Sequence, residues 1–308
     1  MQNESQTNSR LAEEIRDFKK KRKAIILAHN YQIPEVQDIA DFLGDSLELS
    51  QKAAQTDAKV IVFCGVRFMA ETAAVLSPQK RVLIPDVQAG CPLADMLTVK
   101  DLRSLKESHP GATVLCYVNT SAVIKAESDV CCTSANADRI VKALKSKSEI
   151  IFVPDRHLAD YASRRADKDL IVWNGHCPVH IGISGEDVLR QKRTHPAAKV
   201  IVHPECTREV IDLADGVFST SGMGKYAKET EAKEIIVATE NGFLYRLAKK
   251  NPDKKFYPAC EKAVCADMKL ITLKKVLWAL KNMQFEVKIP PQIQKKAKQA
   301  LGRMLEIT

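Results

Sequence analysis

The chain has 308 residues, 45% hydrophobic and 28% charged, with 47 Lys and Arg against 38 Asp and Glu. That length allows two or three compact units, and the composition is that of an ordinary globular protein, not a disordered or fibrous one. The start MQNESQTNSR is polar, and no apolar run approaches bilayer length. The basic stretches KKKRK (19–23) and KKAKQ (295–299) have no interleaved aromatics. Export, membrane insertion and nucleic-acid binding are therefore not expected, and a cytoplasmic protein is. The net charge of +9 favours anionic small-molecule partners.

In chain order, short apolar runs alternate with helical patterns. They are AIILAHNY (24–31), AKVIVFCG (58–65), RVLIPDV (81–87), TVLCYVN (113–119), EIIFVPD (149–155), LIVWNGH (170–176), KVIVHPE (199–205) and EIIVATE (234–240). Runs of Val, Ile and Leu closed by polar residues read as buried parallel strands joined by helical crossovers. The class is α/β.

The runs also repeat. His29, Tyr117 and His203 close matching runs and lie 88 and 86 residues apart. Seventeen residues beyond each stands a hydroxyl: Ser46, Ser134 and Thr220. Cys91, Cys177 and Cys265 follow at offsets of 62, 60 and 62. Three features in register across three segments indicate three homologous small parallel-sheet units around a pseudo-threefold axis. The expected divisions are 1–107, with an N-terminal helix, 108–195, and 196–308, with a basic C-terminal helix.

The nine cysteines, without an export signal, read as thiols or metal ligands and not as a disulfide framework. Cys64, Cys116 and Cys206 lie in or beside strand-like runs and read as small hydrophobes. Cys131 and Cys132 fall outside the repeat and read as structural. Cys91, Cys177 and Cys265, one per unit, can converge on the axis. No C-x-x-C pair supports structural zinc. Three thiolates suit one face of a [4Fe-4S] cluster and leave one iron open as a Lewis acid. Cys260, five residues before Cys265, is the alternative third ligand.

The pairs His29/Tyr31, Tyr117/Asn119 and His203/Glu205 are two residues apart, so each pair is expected to share a strand face at the C-terminal end of a sheet, where α/β proteins bind ligands. They offer a general base in Glu205 and acid/base groups in His29, His203 and Tyr31. Ser46, Ser134 and Thr220 stand at the starts of helical patterns. They read either as ordinary N-caps or as parts of anion sites for a dicarboxylate or a phosphate. GMGK (222–225) is too short for a P-loop and reads as a loop over the site.

AHNYQIPEVQDIADFLGDSLELSQKA, IVFCGVRFMAETA, PDVQAGCPLADM, YVNTSA, WNGHCPVH, HPEC and TSGM closely resemble the quinolinate synthase family in order and separation, from about residue 24 to about 285. The resemblance implies condensation of iminoaspartate with dihydroxyacetone phosphate to quinolinate, with loss of phosphate and two waters, in NAD biosynthesis. It implies a [4Fe-4S] cluster on Cys91, Cys177 and Cys265, and favours Cys265 over Cys260. It carries substrate contacts onto His29, Tyr31, Ser46, Tyr117, Asn119, Ser134, His203, Glu205 and Thr220, and places His180 close to the cluster. The unstable imine implies functional coupling to an aspartate oxidase or dehydrogenase. The family's occasional C-x-x-C near the last ligand is missing here.

The same residues admit other readings. One is another [4Fe-4S] hydro-lyase acting on a hydroxy acid. A second is a fully ligated sensor or electron carrier, and a third is a metal-free sugar-phosphate binder.

Overall fold

The computed structural model describes residues 2–144 and 149–307. Three four-stranded parallel sheets follow one another along the chain. The first holds β1 (Ala24–His29), β2 (Phe42–Gly44), β3 (Val60–Cys64) and β4 (Arg81–Leu83). The second holds β5 (Thr113–Tyr117), β6 (Val130–Cys132), β7 (Ile150–Val153) and β8 (Ile171–Val172). The third holds β9 (Lys199–Val202), β10 (Gly216–Val217), β11 (Glu234–Ala238) and β12 (Lys255–Pro258). In every sheet the strand order is second, first, third, fourth.

The registers repeat as well. Ala28 pairs with Cys64, Cys116 with Val153, and Val202 with Ala238. The central strands are apolar on both faces because helices cover both; all five residues of β3 are buried. Cys64, Cys116, Cys131, Cys132 and Cys206 are fully buried, as expected of small core hydrophobes.

After its fourth strand each unit makes a four-residue helix: Pro92–Asp95, Pro178–Ile181 and Ala266–Lys269. A longer helix follows: Val99–Ser108, Gly185–Thr194 and Leu273–Asn282. Thr98, Ser184 and Thr272 cap these by accepting a backbone N–H with their side chains. Helix Gly185–Thr194 leads into the third unit and packs on β11. Helix Leu273–Asn282 has no fourth sheet to enter. It packs instead on β3 of the first sheet and on the N-terminal helix Gln2–Arg22, which closes the ring.

The chain then runs antiparallel to β4, with Ile84 N–H donating to the Phe285 carbonyl (2.9 Å) and Val287 N–H to the Val82 carbonyl (2.8 Å). The last helix, Pro291–Glu306, lies on β6 and helix Ala122–Ala126 of the second unit. The C-terminal helices thus tie together units that are distant in sequence. Among the described residues no helix is long and apolar enough to cross a membrane.

Candidate active site

Ligand sites in open parallel sheets form beyond the C-terminal strand ends. Here the three central strands β1, β5 and β9 end at one cavity. It is lined by His29, Tyr31, Ser46, Tyr117, Asn119, Ser134, His180, His203, Glu205 and Thr220, together with Cys91, Cys177 and Cys265. Strand alternation is not what aims the paired residues. β1 and β5 stop at His29 and Tyr117, and β9 stops before His203. Tight turns, with Gln32 N–H to the His29 carbonyl (3.1 Å) and Cys206 N–H to the His203 carbonyl (3.0 Å), bring Tyr31 and Glu205 back over the strand ends.

Each of the three cysteines is the residue before a four-residue helix, in extended conformation. Proline follows Cys91 and Cys177 at the first helical position, where its missing N–H costs no bond. Each sulfur accepts backbone N–H groups from its own helix: Leu93 and Ala94, His180, and Asp267 and Met268. These donors favour thiolate. Burial opposes it, pushing the Cys91 thiol up to about 12 and the Cys177 and Cys265 thiols up as well. A cationic metal group would resolve that opposition, since metal binding requires and stabilises the thiolate.

Among the described residues, ligand atoms within 4.8 Å of one another occur for Cys177, His180 and Glu205, and the three cysteines do not form such a group. Sulfurs around one zinc would sit only about 3.8 Å apart, from bonds of about 2.3 Å. The three thiols are therefore too widely spaced to share a single ion, which leaves room between them for a larger group; Cys177, His180 and Glu205 are close enough for one ion. Cys260 is buried and does not line the cavity.

Two buried carboxylates fix the cysteine loops. Asp155 Oδ2 accepts the Cys177 N–H (3.2 Å), and Glu240 Oε1 accepts the Cys265 N–H (3.1 Å). Burial pushes both carboxyls up, and Glu205 adds to it at Asp155; the N–H bonds that both accept, and Lys269 at 2.8 Å from Glu240, oppose the rise without reversing it. Close approach at Asp155 needs Gly175: a Cβ there would lie 2.4 Å from the Pro154 carbonyl oxygen.

Glu205 is the hub of the opposite wall. Its Oε2 lies 3.2 Å from both His180 Nδ1 and His203 Nδ1. Asn119 Nδ2 approaches Oε1 at 3.5 Å, and Tyr117 also bonds the carboxylate. Burial opposes the charge, but His180, His203 and Tyr117 outweigh it and hold the group below the usual carboxylate range. The His180 and His203 rings stack with centroids 4.5 Å apart. Burial lowers His29 and His180 to about 3, with His203 adding to the effect on both, so both rings are neutral near pH 7. Burial raises Tyr31 and Tyr117, which are neutral phenols.

The N-caps of the two ten-residue helices Ser46–Gln55 and Thr220–Glu229 are Asp45 and Ser219. Ser46 and Thr220 are instead the first helical residues, so their hydroxyls are not spent on capping. Thr220 Oγ1 takes one bond, from Asn30 Nδ2 (2.7 Å). Ser134 precedes a shorter helix, Ala137–Ala143, whose cap is Asn136. GMGK lies inside helix Thr220–Glu229 and is not a loop. The buried side-chain oxygen of Asn119 has no protein partner, as expected of a group reserved for a ligand.

Among the described residues no Lys or Arg lines the cavity, which holds Asp45, Glu205 and Glu240. The chain's positive charge is therefore spent elsewhere, and an anionic ligand would rest on hydroxyls, amides and helix N-termini. Asp45, Glu240 and Asp155 were not singled out from sequence. The repeat held a signal for two of them: Asp155 and Glu240 occupy one register position, two residues beyond the Val153 and Ala238 strand partners.

Residues 13–306 match the model of the family described as Quinolinate synthetase A protein, NadA. A quinolinate synthase of Dehalococcoides mccartyi (strain CBDB1) is 56% identical over 297 residues, covering 96% of this chain and 98% of the relative. That of Thermodesulfovibrio yellowstonii is 55% identical over 300 residues, 97% of this chain and 99% of its own. That of Methanosarcina barkeri is 54% identical over 297 residues, 96% and 97% respectively.

Proposed function

The chain belongs to the quinolinate synthetase A family, a family of enzymes, and from that premise we propose that it condenses iminoaspartate with dihydroxyacetone phosphate. The products are quinolinate, phosphate and two waters, so the reaction is balanced without an oxidant. The observation that supports this most is the meeting of three equivalent cysteines with one carboxylate–imidazole cluster in a single cavity.

Cys91, Cys177 and Cys265 would hold a [4Fe-4S] cluster. With three protein ligands, such a cluster supplies a Lewis acid for the dehydration steps. Ser46, Ser134, Thr220, Tyr117 and Asn119 orient the carboxylates and the phosphate through O–H and N–H donors. Tyr31 and neutral His29 serve proton shifts in the triose part. Their rings meet edge-on with centroids 4.5 Å apart. Glu205, ionised, accepts a proton at Oε1 or Oε2, and His203 and His180 hold that carboxylate in place. The divisions at 1–107, 108–195 and 196–308 belong to the same proposal, each segment contributing one cysteine and one strand-end pair.

The test is quinolinate formation from dihydroxyacetone phosphate and iminoaspartate made in place by an aspartate oxidase or dehydrogenase. Stoichiometric phosphate and quinolinate support the reading. Phosphate release without quinolinate, or hydration of a hydroxy acid instead, would replace it.

A further inference from the structure

We propose that Thr239, which does not line the cavity, is a positioning residue that fixes the hydrogen-bond direction of Tyr31 and His180 against Glu205. The inference rests on the reading of Tyr31 and Glu205 as reacting groups and of His180 as the support of Glu205.

Thr239 is fully buried and follows the last residue of β11. Its Oγ1 lies 2.5 Å from the Tyr31 hydroxyl and 2.9 Å from His180 Nε2. A threonine hydroxyl has one proton to give and lone pairs to accept with. Two arrangements are possible. Either Tyr31 donates to Thr239 and Thr239 donates to Nε2, or Nε2–H donates to Thr239 and Thr239 donates to Tyr31.

Glu205 chooses between them. Its Oε2 and the Cys177 sulfur each lie 3.2 Å from His180 Nδ1; a carboxylate only accepts, and so does a thiolate. Nδ1 must therefore carry the imidazole proton, and Nε2 is a bare lone pair that needs a donor. Among the described residues two hydroxyls reach it, Tyr31 at 3.5 Å and Thr239 at 2.9 Å, and the shorter contact makes Thr239 the donor. The chain of bonds then runs one way, from the Tyr31 O–H through Thr239 to His180 and on to Glu205. The phenol proton points away from the reactants, and Tyr31 presents oxygen lone pairs to the cavity.

The other two units show that this hydroxyl is specific to the third. The residues after the equivalent strand partners Cys64 and Val153 are Gly65 and Pro154, which carry no hydroxyl. Only the third unit carries Glu205, and only there does the register position hold a threonine.

The experiment compares wild-type holoenzyme, prepared without oxygen, with Thr239→Val and Thr239→Ser in steady-state quinolinate formation. Valine keeps the shape and removes the hydroxyl; serine keeps the hydroxyl and removes the methyl. Thr239→Val should lower kcat about 10- to 100-fold, as loss of an orienting partner does. KM for dihydroxyacetone phosphate should stay within about threefold, because a residue acting through Tyr31 and His180 does not set ground-state binding. Thr239→Ser should recover kcat to within about threefold of wild type. Should Thr239→Val not fold, Thr239→Ala replaces it with the same expectation. Near-normal kcat without the hydroxyl, or serine as impaired as valine, overturns the inference. Wild-type protein that makes no quinolinate overturns the functional reading instead.

Discussion

Asp155 and Glu240 stand at the same register position in two different sheets, and each accepts the backbone N–H of its own unit's cysteine, at 3.2 and 3.1 Å. In the first unit that position is Val66. There the task passes to Asp267 of the third unit, whose Oδ1 accepts the N–H of Gly90, the residue before Cys91, at 3.2 Å. The three cysteine loops are thus held by carboxylate acceptors, buried in the case of Asp155 and Glu240, whether or not the sulfurs are engaged. Orienting partners of this kind typically contribute 10- to 100-fold to metal affinity. Asp155→Ala and Glu240→Ala should therefore lose iron to a chelator about 10 to 100 times faster than wild type. Asp155→Asn has one acceptor oxygen where the carboxylate uses two, Oδ2 for the Cys177 N–H and Oδ1 for the His157 and Leu158 N–H groups, so it should fall between wild type and alanine. Alanine variants that retain iron like the parent would contradict this.

Glu205→Gln keeps the size of the hub and removes its charge and proton affinity. Turnover should fall at least about 100-fold, the low end for loss of a general base. Iron content should not change, because Glu205 is not one of the three cysteine ligands. Parallel iron and quinolinate assays separate the two effects, and near-normal turnover would remove Glu205 from the chemistry.

Ser46 lines the cavity without serving as a cap. Its loss should weaken ground-state binding of an anionic group and spare the chemical step. A hydrogen bond to a charged group contributes about 1.5–3 kcal/mol, so Ser46→Ala should raise KM about tenfold or more with kcat nearly unchanged. A normal KM would assign Ser46 to the wall alone.

Lys275, on the helix that closes the ring, bonds Asp86 beyond β4 and donates to the Leu270 carbonyl at 2.8 Å. Burial opposes the Asp86 carboxylate, but Lys275 and the Gln88 N–H outweigh it and hold the carboxyl below its usual range. A carboxyl lowered on folding stabilises the fold above its unfolded pKa, and the effect is lost as pH falls through the folded pKa. Lys275→Met should cost about 1 kcal/mol or less at pH 7, because the lysine is partly exposed. The difference from wild type should shrink below about pH 4. Urea midpoints of both proteins from pH 7 down to pH 3 check this; a gap that widens in acid would exclude the ion pair as its source.

The central strands were legible because each is a run of Val, Ile and Leu long enough to show above its surroundings. β2, β6 and β10 were not, because they are edge strands of only three, three and two residues. β12, KFYP, escaped for lack of a β-branched run. The strand-end pairs, the three hydroxyls and the three cysteines of the cavity were legible through the repeat, since a ligand site at the axis puts like positions together; Asp45 and Glu240, which also line it, were not. Thr239 and Asp155 escaped because they act from behind the wall. A fully buried Thr or Asp beside a strand end looks like any other core polar residue until its partners are known. The placement of the last two helices escaped for a related reason: packing across the ring pairs residues some 200 positions apart, and no local pattern records that.

Iron and acid-labile sulfide, measured on protein purified without oxygen, for wild type and for alanine at each of the nine cysteines, test the central claim most directly. The expected result is about four of each per chain in wild type. Both should be lost with Cys91→Ala, Cys177→Ala or Cys265→Ala and kept in the other six variants, Cys260→Ala included. Iron-free wild-type protein, or a cluster that survives Cys265→Ala and fails in Cys260→Ala, would contradict it.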